Sequence, residues 1–439
     1  MPTLQVVTLG CSKNTVDTEH LLYQVRNRYE TVPEGEERPV DVLLVNTCGF
    51  IGDAKEESIQ TILSCAARKK AGEVGRLLVF GCLSQRYRHE LPDLIPEVDG
   101  WFGARDLDPV VRALGCEPDP ASAHLRVRTD SRHPYAFLKI SEGCDRRCSY
   151  CAIPLIRGPH RSVPMETLVS EAESLAAQGV RELVVIAQDT TYYGLDLYGR
   201  RCLAELLRRL SAVEGIEWIR IHYSYPADFP EDVLDEMREN PKVCRYMDIP
   251  LQHISDTILD KMHRHVDGAW TRALIRKMRE RVPGVVLRTT MIVGHPGETP
   301  YAFRQLLDFV RDARFERLGA FSYSEEEGTY GAGHFEDTVT PRVKKNRLSR
   351  LMELQRGISL AYNESRVGTD VRVLVDDFTD GILVCRSEFE SPEVDGEILV
   401  KYDPDRFGGV EPYSLVGSFL RVRVVSADEY DLIAELIEL

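Results

Sequence analysis

Residues 1 to about 115 alternate between short apolar runs and amphipathic segments. The runs LQVVTLG, VDVLLVN, RLLVFG and DGWFG are typical of buried strands, and intervening stretches such as DAKEESIQTILSCAARKK have the periodicity of a helix. Strands that alternate with helices form parallel sheets. We therefore expect an N-terminal domain over residues 1–116, built on a parallel α/β sheet.

The alternation resumes beyond 117–134, a segment with three prolines and no periodicity that we interpret as a linker. Strands are predicted at AFLKI, ELVVIAQ, EWIRIHY, YMDIP, VVLRTTMIVG and LGAFSY. Helices are predicted near 166–178, 199–212, 230–239, 255–281 and 299–313, followed by a long helix near 340–364. These β/α units predict a partial or full barrel over 135–365, with active residues at the carboxyl ends of its strands.

The last segment, 366–439, has a different pattern. Its short runs VRVLVDD, GILVCRS, GEILVKY and FLRVRVVS, separated by Gly, Pro and Asp, predict a small antiparallel β-barrel. It contains 7 Arg and Lys against 17 Asp and Glu, a formal charge of −10 within a whole-chain charge of −15. We hypothesise that this acidic barrel docks a basic protein. Two acidic clusters fall at predicted turns: Asp376, Asp377 and Asp380, and Glu393, Asp395 and Glu397.

Composition favours a multidomain α/β protein of the reducing cytoplasm. The 439 residues are 43% hydrophobic and 28% charged, and no apolar run approaches the length of a membrane span. The start, MPTLQVVTLGC, is typical of a strand and lacks the basic leader of a signal peptide. Eleven cysteines, an odd number, favour free thiols and metal ligands over disulfides.

Three cysteines, Cys144, Cys148 and Cys151, form a compact C-x3-C-x2-C set after the first predicted barrel strand. Three thiolates leave one coordination position of a metal open, as chemistry requires. A zinc knuckle is the structural alternative. It is disfavoured because no fourth Cys or His lies at finger spacing and because thiolates without an imidazole partner suit iron–sulfur clusters.

A second set, Cys11, Cys48 and Cys82, follows the first, second and third predicted strands. A free cysteine after a buried strand is commonly a small core residue. Three after successive parallel strands meet at one edge of the sheet and predict a second open site. The other cysteines are interpreted as ordinary thiols: Cys65, Cys116, Cys202, Cys244 and Cys385.

The segment KISEGCDRRCSYCAIPLIRGPHRS resembles the radical S-adenosylmethionine (SAM) superfamily. The resemblance implies that the compact cysteine set binds a 4Fe-4S cluster and that SAM chelates its fourth iron. One-electron cleavage of SAM then gives a radical that removes hydrogen from an unactivated carbon. Acid–base catalysis cannot readily do this, and we assign no catalytic acid or base.

The segments TLGCSKNTVDTEH, LLVNTCGFI and LLVFGCLSQR resemble the methylthiotransferase family of that superfamily. The resemblance implies a second 4Fe-4S cluster that carries sulfur, a methyl group from another SAM, a C-terminal TRAM domain and a low-potential electron donor such as a flavodoxin or ferredoxin. The patterns G-C-S-K-N-x-V-D-x-E and N-T-C-G-F-I-x-x-A-K-E-E-S favour the RimO branch. That branch modifies the β-carbon of an aspartate in small ribosomal subunit protein twelve.

Polar residues at or near strand ends are candidates for binding the carboxylate, amine and ribose of SAM. They are Gln188, Asp189, Arg220, Gln252 and Arg288, and the aromatic Tyr150 within the compact cysteine set joins them. Arg220 and Arg288 are equally explained as ion pairs in the barrel core. The run TTMIVGHPGE resembles the adenine-binding pattern G-x-I-x-G-x-x-E, with Thr290 in place of the first Gly and Glu298 one place late, so backbone contacts are expected there. His263 and His265 are placed on a solvated helix face.

Two alternatives remain. A tRNA methylthiotransferase of the MiaB branch would share every cluster residue, but binding phosphates requires Lys and Arg, which are few in the C-terminal barrel. A non-enzymatic scaffold or electron carrier would have no need of three-ligand sites.

Overall fold

The computed structural model describes residues 1–438 and divides into two compact units. The first unit comprises Met1–Thr129, Lys139–Ser174 and Glu326–Gly333. The second comprises Asp130–Leu138, Leu175–Glu325 and the chain from His334 onward. The first unit therefore contains both cysteine sets.

A five-stranded parallel sheet forms the centre of the first unit. Its strands, in the spatial order β2-β1-β3-β4-β5, are β1 (Thr3–Thr8), β2 (Glu30–Val32), β3 (Val40–Thr47), β4 (Val74–Gly81) and β5 (Gly100–Trp101). The predicted parallel sheet is confirmed. The edge strand β2 was missed because three residues are too few to show a period.

Helices cover both faces of this sheet. They are α1 (Ser12–Val25), α2 (Gly52–Lys70), α3 (Cys82–Arg86), α4 (Leu91–Leu94) and α5 (Leu107–Ala113). Alternate residues of β3 serve the two cores, since Leu43 packs in the cluster that contains Ile62 of α2 and Leu44 in the cluster that contains Leu21 of α1. Burial of both faces explains why the strands are continuous apolar runs.

A six-stranded sheet in the order β13-β12-β11-β10-β9-β6 forms the partial barrel. The strands from the chain after residue 130 are β6 (Tyr135–Lys139), the short β7 (Ser141–Glu142) and β8 (Arg161–Ser162), β9 (Glu182–Ile186), β10 (Trp218–Ile221), β11 (Val243–Asp248), β12 (Val286–Val293) and β13 (Arg317–Ser322). The pairs from β9 to β13 are all parallel. The six predicted barrel strands are confirmed.

The helices of this part of the chain are α6 (Ile153–Arg157), α7 (Met165–Ala177), α8 (Leu195–Tyr198), α9 (Leu203–Ser211), α10 (Asp232–Glu239), α11 (Asp256–Lys261), α12 (Gly268–Arg281), α13 (Pro300–Ala313), α14 (Tyr330–His334) and α15 (Pro341–Ser365). Within residues 1–438, no helix has the length and apolar character needed to cross a membrane.

The prediction of a single helix over 255–281 is wrong, because a loop separates α11 from α12. His263 and His265 have φ values of 56° and 57°, in the left-handed region, which ends the first helix. Asp267 then accepts a hydrogen bond from the backbone N–H of Trp270 at 2.7 Å and caps the second. The two histidines therefore lie in a loop, and their placement on a helix face is also wrong.

The C-terminal segment forms a closed five-stranded barrel in the order β14-β15-β16-β18-β17. Its strands are β14 (Asp370–Thr379), β15 (Ile382–Arg386), β16 (Ile398–Lys401), β17 (Phe419–Ala427) and β18 (Leu432–Glu438). The unpredicted β18 closes the barrel, since it pairs antiparallel with β17 and parallel with β16. The barrel is thus antiparallel at all pairs but one.

The predicted turn placement of the two acidic clusters is wrong for Asp376 and Asp377, which lie within β14, whereas Asp380 and Glu393 do lie at turns. Asp376 lies within β14, is 7% exposed and pairs with Arg386. Asp395 accepts hydrogen bonds from the Tyr246 hydroxyl at 2.6 Å and the Ser391 N–H at 2.9 Å. Each cluster therefore contains one carboxylate that is paired inside the second unit, while Asp380, Glu393 and Glu397 are exposed.

Candidate functional site

The spread cysteine set lies at the carboxyl ends of three neighbouring strands. Cys11 follows β1 and precedes α1, Cys48 directly follows β3, and Cys82 follows β4 and begins α3. Since β1, β3 and β4 are adjacent in the sheet, the fold gathers residues that are up to 71 positions apart in the chain. This is the arrangement that the sequence predicted.

Glycines let the three ligand loops approach one another closely. Gly10 has a φ of 92°, and a Cβ atom there would lie 2.8 Å from the Cys48 sulfur. A Cβ atom on Gly49 would lie 2.7 Å from the backbone nitrogen of Leu83. The tight loops and the three soft donors fit an iron–sulfur cluster with one open iron.

Burial controls the protonation of these thiols. Burial, opposed by the Arg157 guanidinium and assisted by the nearby Cys11 and Cys48, raises the pKa of Cys82 to about 11. Burial also raises the pKa of Cys48. Binding of a metal must therefore displace protons, and a nearby cation assists this.

Asn14 ties the loops of this site together. Its side-chain amide donates hydrogen bonds to the carbonyl oxygen of Leu9 at 2.7 Å and to that of Thr47 at 3.1 Å. Its Oδ1 atom lies 3.9 Å from the Cys82 sulfur. One fully buried side chain thus contacts all three ligand-bearing segments.

The compact cysteine set lies in the loop between β7 and β8, which pair antiparallel at its base. The Cys144 N–H donates to the Gly158 carbonyl at 3.0 Å, and the Cys151 N–H donates to the Cys148 carbonyl at 3.1 Å. Gly143 has a φ of 76°, and a Cβ atom there would lie 2.1 Å from the Pro159 carbonyl oxygen. The closed loop and its three thiols fit a second cluster.

The two cysteine sets belong to the same unit, and Cys82 of the spread set packs against residues that follow the compact set. Cys82 forms an apolar cluster with Ala104, with Ala152, which directly follows Cys151, and with Ile156 of α6. Within residues 1–438, no three His, Cys, Asp or Glu side chains are arranged to bind a single metal ion. In a four-iron cluster each thiolate binds a different iron, so its ligands need not meet at one point.

A segment that the sequence did not highlight, Glu326–Gly333, also contacts both sets. Glu326 is buried and accepts hydrogen bonds from Lys55 at 2.9 Å and Arg86 at 2.8 Å, and Arg86 also donates to the Gly49 carbonyl. At the other end of the segment, the Gly331 N–H donates to the Ser149 carbonyl at 2.6 Å. The segment therefore connects the loop after Cys48 to the compact set.

Four of the six candidate SAM contacts are uncharged or acidic side chains near the cysteines or the barrel strands, and the other two are arginines. Tyr150 is half-buried in the compact set, and Gln188 and Asp189 follow β9 in the second unit. Asp189 accepts from the N–H and hydroxyl of Thr191, so it caps a short 3₁₀ helix. Gln252 has a φ of 73°, and its buried Oε1 atom lacks a hydrogen-bond partner among residues 1–438. Such an atom fits a polar ligand, because burying it without one costs free energy.

Arg220 and Arg288 form ion pairs in the barrel, as the alternative to SAM binding predicted for them. Arg220 is fully buried, with Nε 2.7 Å from Glu182 Oε1 and Nη1 2.7 Å from the Glu388 carbonyl. Arg288 Nη1 lies 2.9 Å from Asp248 Oδ1. Glu182 is the first residue of β9, so the Arg220 pair lies at the amino ends of the barrel strands. Sites in barrels of this kind lie at the opposite ends.

Three polar residues near the cysteines were not singled out from the sequence: Asn14, Asp17 and Arg157. The first two follow Cys11 at intervals of three residues, which places them on one face of α1. Arg157 contacts both of them. The regular spacing could have indicated a shared face, but the position of Arg157 depends on tertiary structure.

Comparison with known families separates the chain into three parts. Residues 138–310 match the radical SAM superfamily, residues 3–103 match the uncharacterized protein family UPF0004, and residues 367–437 match the TRAM domain. Among solved structures, the radical SAM methyltransferase TsrM from Kitasatospora setae, with cobalamin and a [4Fe-4S] cluster bound, has a TM-score of 0.55 at 15% identity. That likeness covers 90% of this chain and 82% of the other. The cobalamin-dependent radical enzyme OxsB has a TM-score of 0.51 at 13% identity, over 80% of this chain and 56% of the other.

Among curated proteins, the ribosomal protein uS12 methylthiotransferase RimO of Porphyromonas gingivalis is 50% identical over 436 residues, 99% of both chains. The proteins of the same name from Bacteroides fragilis and Cytophaga hutchinsonii are 48% and 45% identical, over 99% of this chain and 99% and 98% of theirs. The match to the radical SAM superfamily and the full-length similarity to these relatives define a radical SAM enzyme. More narrowly, the chain belongs to the family of the ribosomal protein uS12 methylthiotransferase RimO.

Proposed function

We propose that this protein transfers a methylthio group to the β-carbon of an aspartate in ribosomal protein uS12, the small ribosomal subunit protein twelve. The observation that carries the proposal is the presence of two three-cysteine sets in one unit, with Cys82 of one set packed against residues that follow the other. A single set would serve SAM cleavage alone, and the second provides a place for sulfur. Full-length similarity to proteins named for this activity supports the choice of substrate.

The cofactors are SAM and two 4Fe-4S clusters, one on Cys144, Cys148 and Cys151 and one on the spread set Cys11, Cys48 and Cys82. When bound, these groups supply one-electron cleavage of SAM, removal of hydrogen from an unactivated carbon, and sulfur. The residues of the chain fix the ligand loops and bury Cys48, Cys82 and Cys148, while Cys11 is exposed and Cys144 and Cys151 are half-buried.

Polar residues of the second unit are proposed to bind SAM. The free Oε1 atom of Gln252 would accept a hydrogen bond from the SAM amine or a ribose hydroxyl. Gln188 and Asp189 follow β9, at the strand end where barrels of this kind bind ligands, and Tyr150 lies within the compact cysteine set. Arg220 and Arg288 support the barrel through their ion pairs.

A basic ribosomal protein is the proposed partner of the acidic C-terminal barrel. Among the exposed acidic residues of this barrel, Asp403, Asp405 and Glu411 lie on the loop that follows β16. Negative charge there would attract a basic protein and repel tRNA. A low-potential electron donor such as a flavodoxin or ferredoxin, and a cytoplasmic location with the ribosome, complete the proposal.

The test is a competition between the two substrate classes. Anaerobically reconstituted enzyme receives reductant, SAM, uS12 and tRNA in one reaction, and mass spectrometry measures methylthio on each. We expect uS12 alone to be modified. Cys148→Ala should abolish the product, whereas Cys65→Ala, which replaces a buried thiol outside both sets, should preserve it. Modification of tRNA in place of uS12 would overturn the proposal.

A further inference from the structure

The side chain of Arg157 lies between the two cysteine sets. Arg157 is the last residue of α6, six positions after Cys151, and is 3% exposed. Its Nη1 atom lies 2.7 Å from Asp17 Oδ2 and 3.1 Å from Glu142 Oε2. Its Nη2 atom donates to Asn14 Oδ1 at 2.5 Å. A residue that follows the compact set is thereby bound to the helix that begins after Cys11.

The same guanidinium lies beside Cys82. It donates to the Oδ1 atom of Asn14, and the neighbouring Ile156 packs on Cys82. The Asn14 Oδ1 atom also faces the sulfur, at 3.9 Å. Once Cys82 is a thiolate, the sulfur and this oxygen are both acceptors, so they need a donor that satisfies both. Arg157 is that donor.

The backbone next to Arg157 contacts the other cysteine set. The carbonyl oxygen of Gly158 accepts a hydrogen bond from the Cys144 N–H at 3.0 Å. Gly158 has a φ of 73°, which turns the chain sharply away from the helix. Two consecutive residues therefore contact the two sites, one through its side chain and one through its backbone.

Charges around Arg157 are closely balanced. Lys139 pairs with Asp17 and Glu142, the same two carboxylates that bind Arg157. Loss of the guanidinium would leave the buried Asp17 and the partly exposed Glu142 with a single cation, next to a thiolate ligand. Hydrogen bonds and net charge near the sulfurs set the reduction potential of an iron–sulfur cluster.

We propose that Arg157 is a positioning residue that joins the two cluster sites and raises the reduction potential of the cluster on Cys11, Cys48 and Cys82. Positive charge beside that cluster favours its reduced, more negative state. The inference rests on the proposed function, because it requires the spread cysteine set to bind a cluster.

The test measures one cluster alone. Cys144, Cys148 and Cys151 are all replaced by Ala, and Arg157→Gln, Arg157→Lys or Arg126→Gln is added to this background. Arg126 is the matched control, because its side chain is 1% exposed and is paired with two carboxylates, Glu19 and Glu171, in the same unit. Iron content and the midpoint potential, followed by electron paramagnetic resonance, are the readouts.

Arg157→Gln should lower the ratio of reduced to oxidised cluster at least tenfold at a fixed potential. For a one-electron couple this corresponds to a fall of about 59 mV in the midpoint potential. Arg157→Lys keeps the charge and should recover most of this change, and Arg126→Gln should leave the potential unchanged. Equal potentials in Arg157→Gln and Arg126→Gln, or no recovery in Arg157→Lys, would overturn the inference while leaving the proposed function intact. Absence of iron from the triple-Ala background would overturn both.

Discussion

Arg386 Nη1 lies 2.8 Å from Glu182 Oε2, and the contact joins residues 204 positions apart in the chain. Both side chains are almost completely buried. Glu182 also pairs with Arg220, and Arg386 with Asp376, so four charged groups form one chain of ion pairs. This chain connects the closed C-terminal barrel to the first residue of β9 and fixes the two within the second unit.

Removal of the central carboxylate should destabilise the protein. Glu182→Gln would leave Arg220 and Arg386 buried with only Asp376 to balance them. Breaking a buried pair in this way costs about 3 to 5 kcal/mol in the free energy of unfolding. Denaturant unfolding followed by circular dichroism measures the loss. Asp370→Asn, which breaks the exposed pair with Arg423, should change stability little, and equal effects of the two substitutions would contradict this account.

The two cysteine sets should lose iron independently, because neither borrows a ligand from the other. Cys148→Ala should abolish SAM cleavage and leave roughly half of the iron, about four atoms if each site binds a four-iron cluster. Cys48→Ala should leave SAM cleavage but prevent sulfur insertion. Iron analysis and 5′-deoxyadenosine formation check both, with Cys65→Ala as a control that keeps all iron. Loss of all iron from either single variant would contradict the two-site account.

Charge reversal on the exposed loop after β16 should weaken the interaction with uS12. The triple variant Asp403→Lys, Asp405→Lys and Glu411→Lys should raise the apparent KM for uS12, more at low salt than at high salt because screening weakens the wild-type attraction. The control makes the same charge change at exposed acids of the partial barrel: Glu214→Lys, Glu280→Lys and Asp312→Lys. Identical KM values for the two triple variants would rule out docking on this loop.

Stability should fall in mild acid because of His295. Burial lowers the pKa of His295 to about 4, and the nearby His253 and Lys261 act in the same direction. In the unfolded chain the pKa of a histidine is near 6.5, so as the pH falls the unfolded state binds a proton before the folded state does. The contribution of His295 to the free energy of unfolding is therefore complete above about pH 6.5 and is lost as the pH falls toward 4. Urea unfolding at pH 7 and pH 5 measures the slope. His295→Gln should be less stable at pH 7 but show a shallower slope, and an unchanged slope would exclude His295 as its source.

The sequence predicted the elements whose pattern is strong. Buried strands such as β3 and β4 are continuous apolar runs. Because the carboxyl ends of parallel strands lie at the same edge of a sheet, Cys48 and Cys82 were expected to lie close together. The break between α11 and α12 was missed because His263 adopts a left-handed conformation that its residue type does not demand. The strand β18 was missed although its residues alternate in burial, since only tertiary pairing with β16 closes the barrel.

The sequence predicted which cysteines form the candidate site, but it did not predict which charged residues are buried and paired. Cysteine spacing alone indicated the two sets, whereas Asp376 was wrongly placed at a turn and is buried within β14. Composition counts charges without showing which are paired. Arg157 and Asp17 meet across 140 residues, and no local pattern records such a contact.

The most direct test of the central claim follows the hydrogen at the modified carbon. uS12 that carries deuterium on the β-carbon of its aspartates is incubated with reconstituted enzyme, reductant and SAM, and mass spectrometry locates both deuterium and methylthio. The account predicts one methylthio-aspartate that has lost deuterium, with that deuterium found in 5′-deoxyadenosine. Methylthio on another carbon, or product formation without transfer of deuterium to 5′-deoxyadenosine, would contradict it.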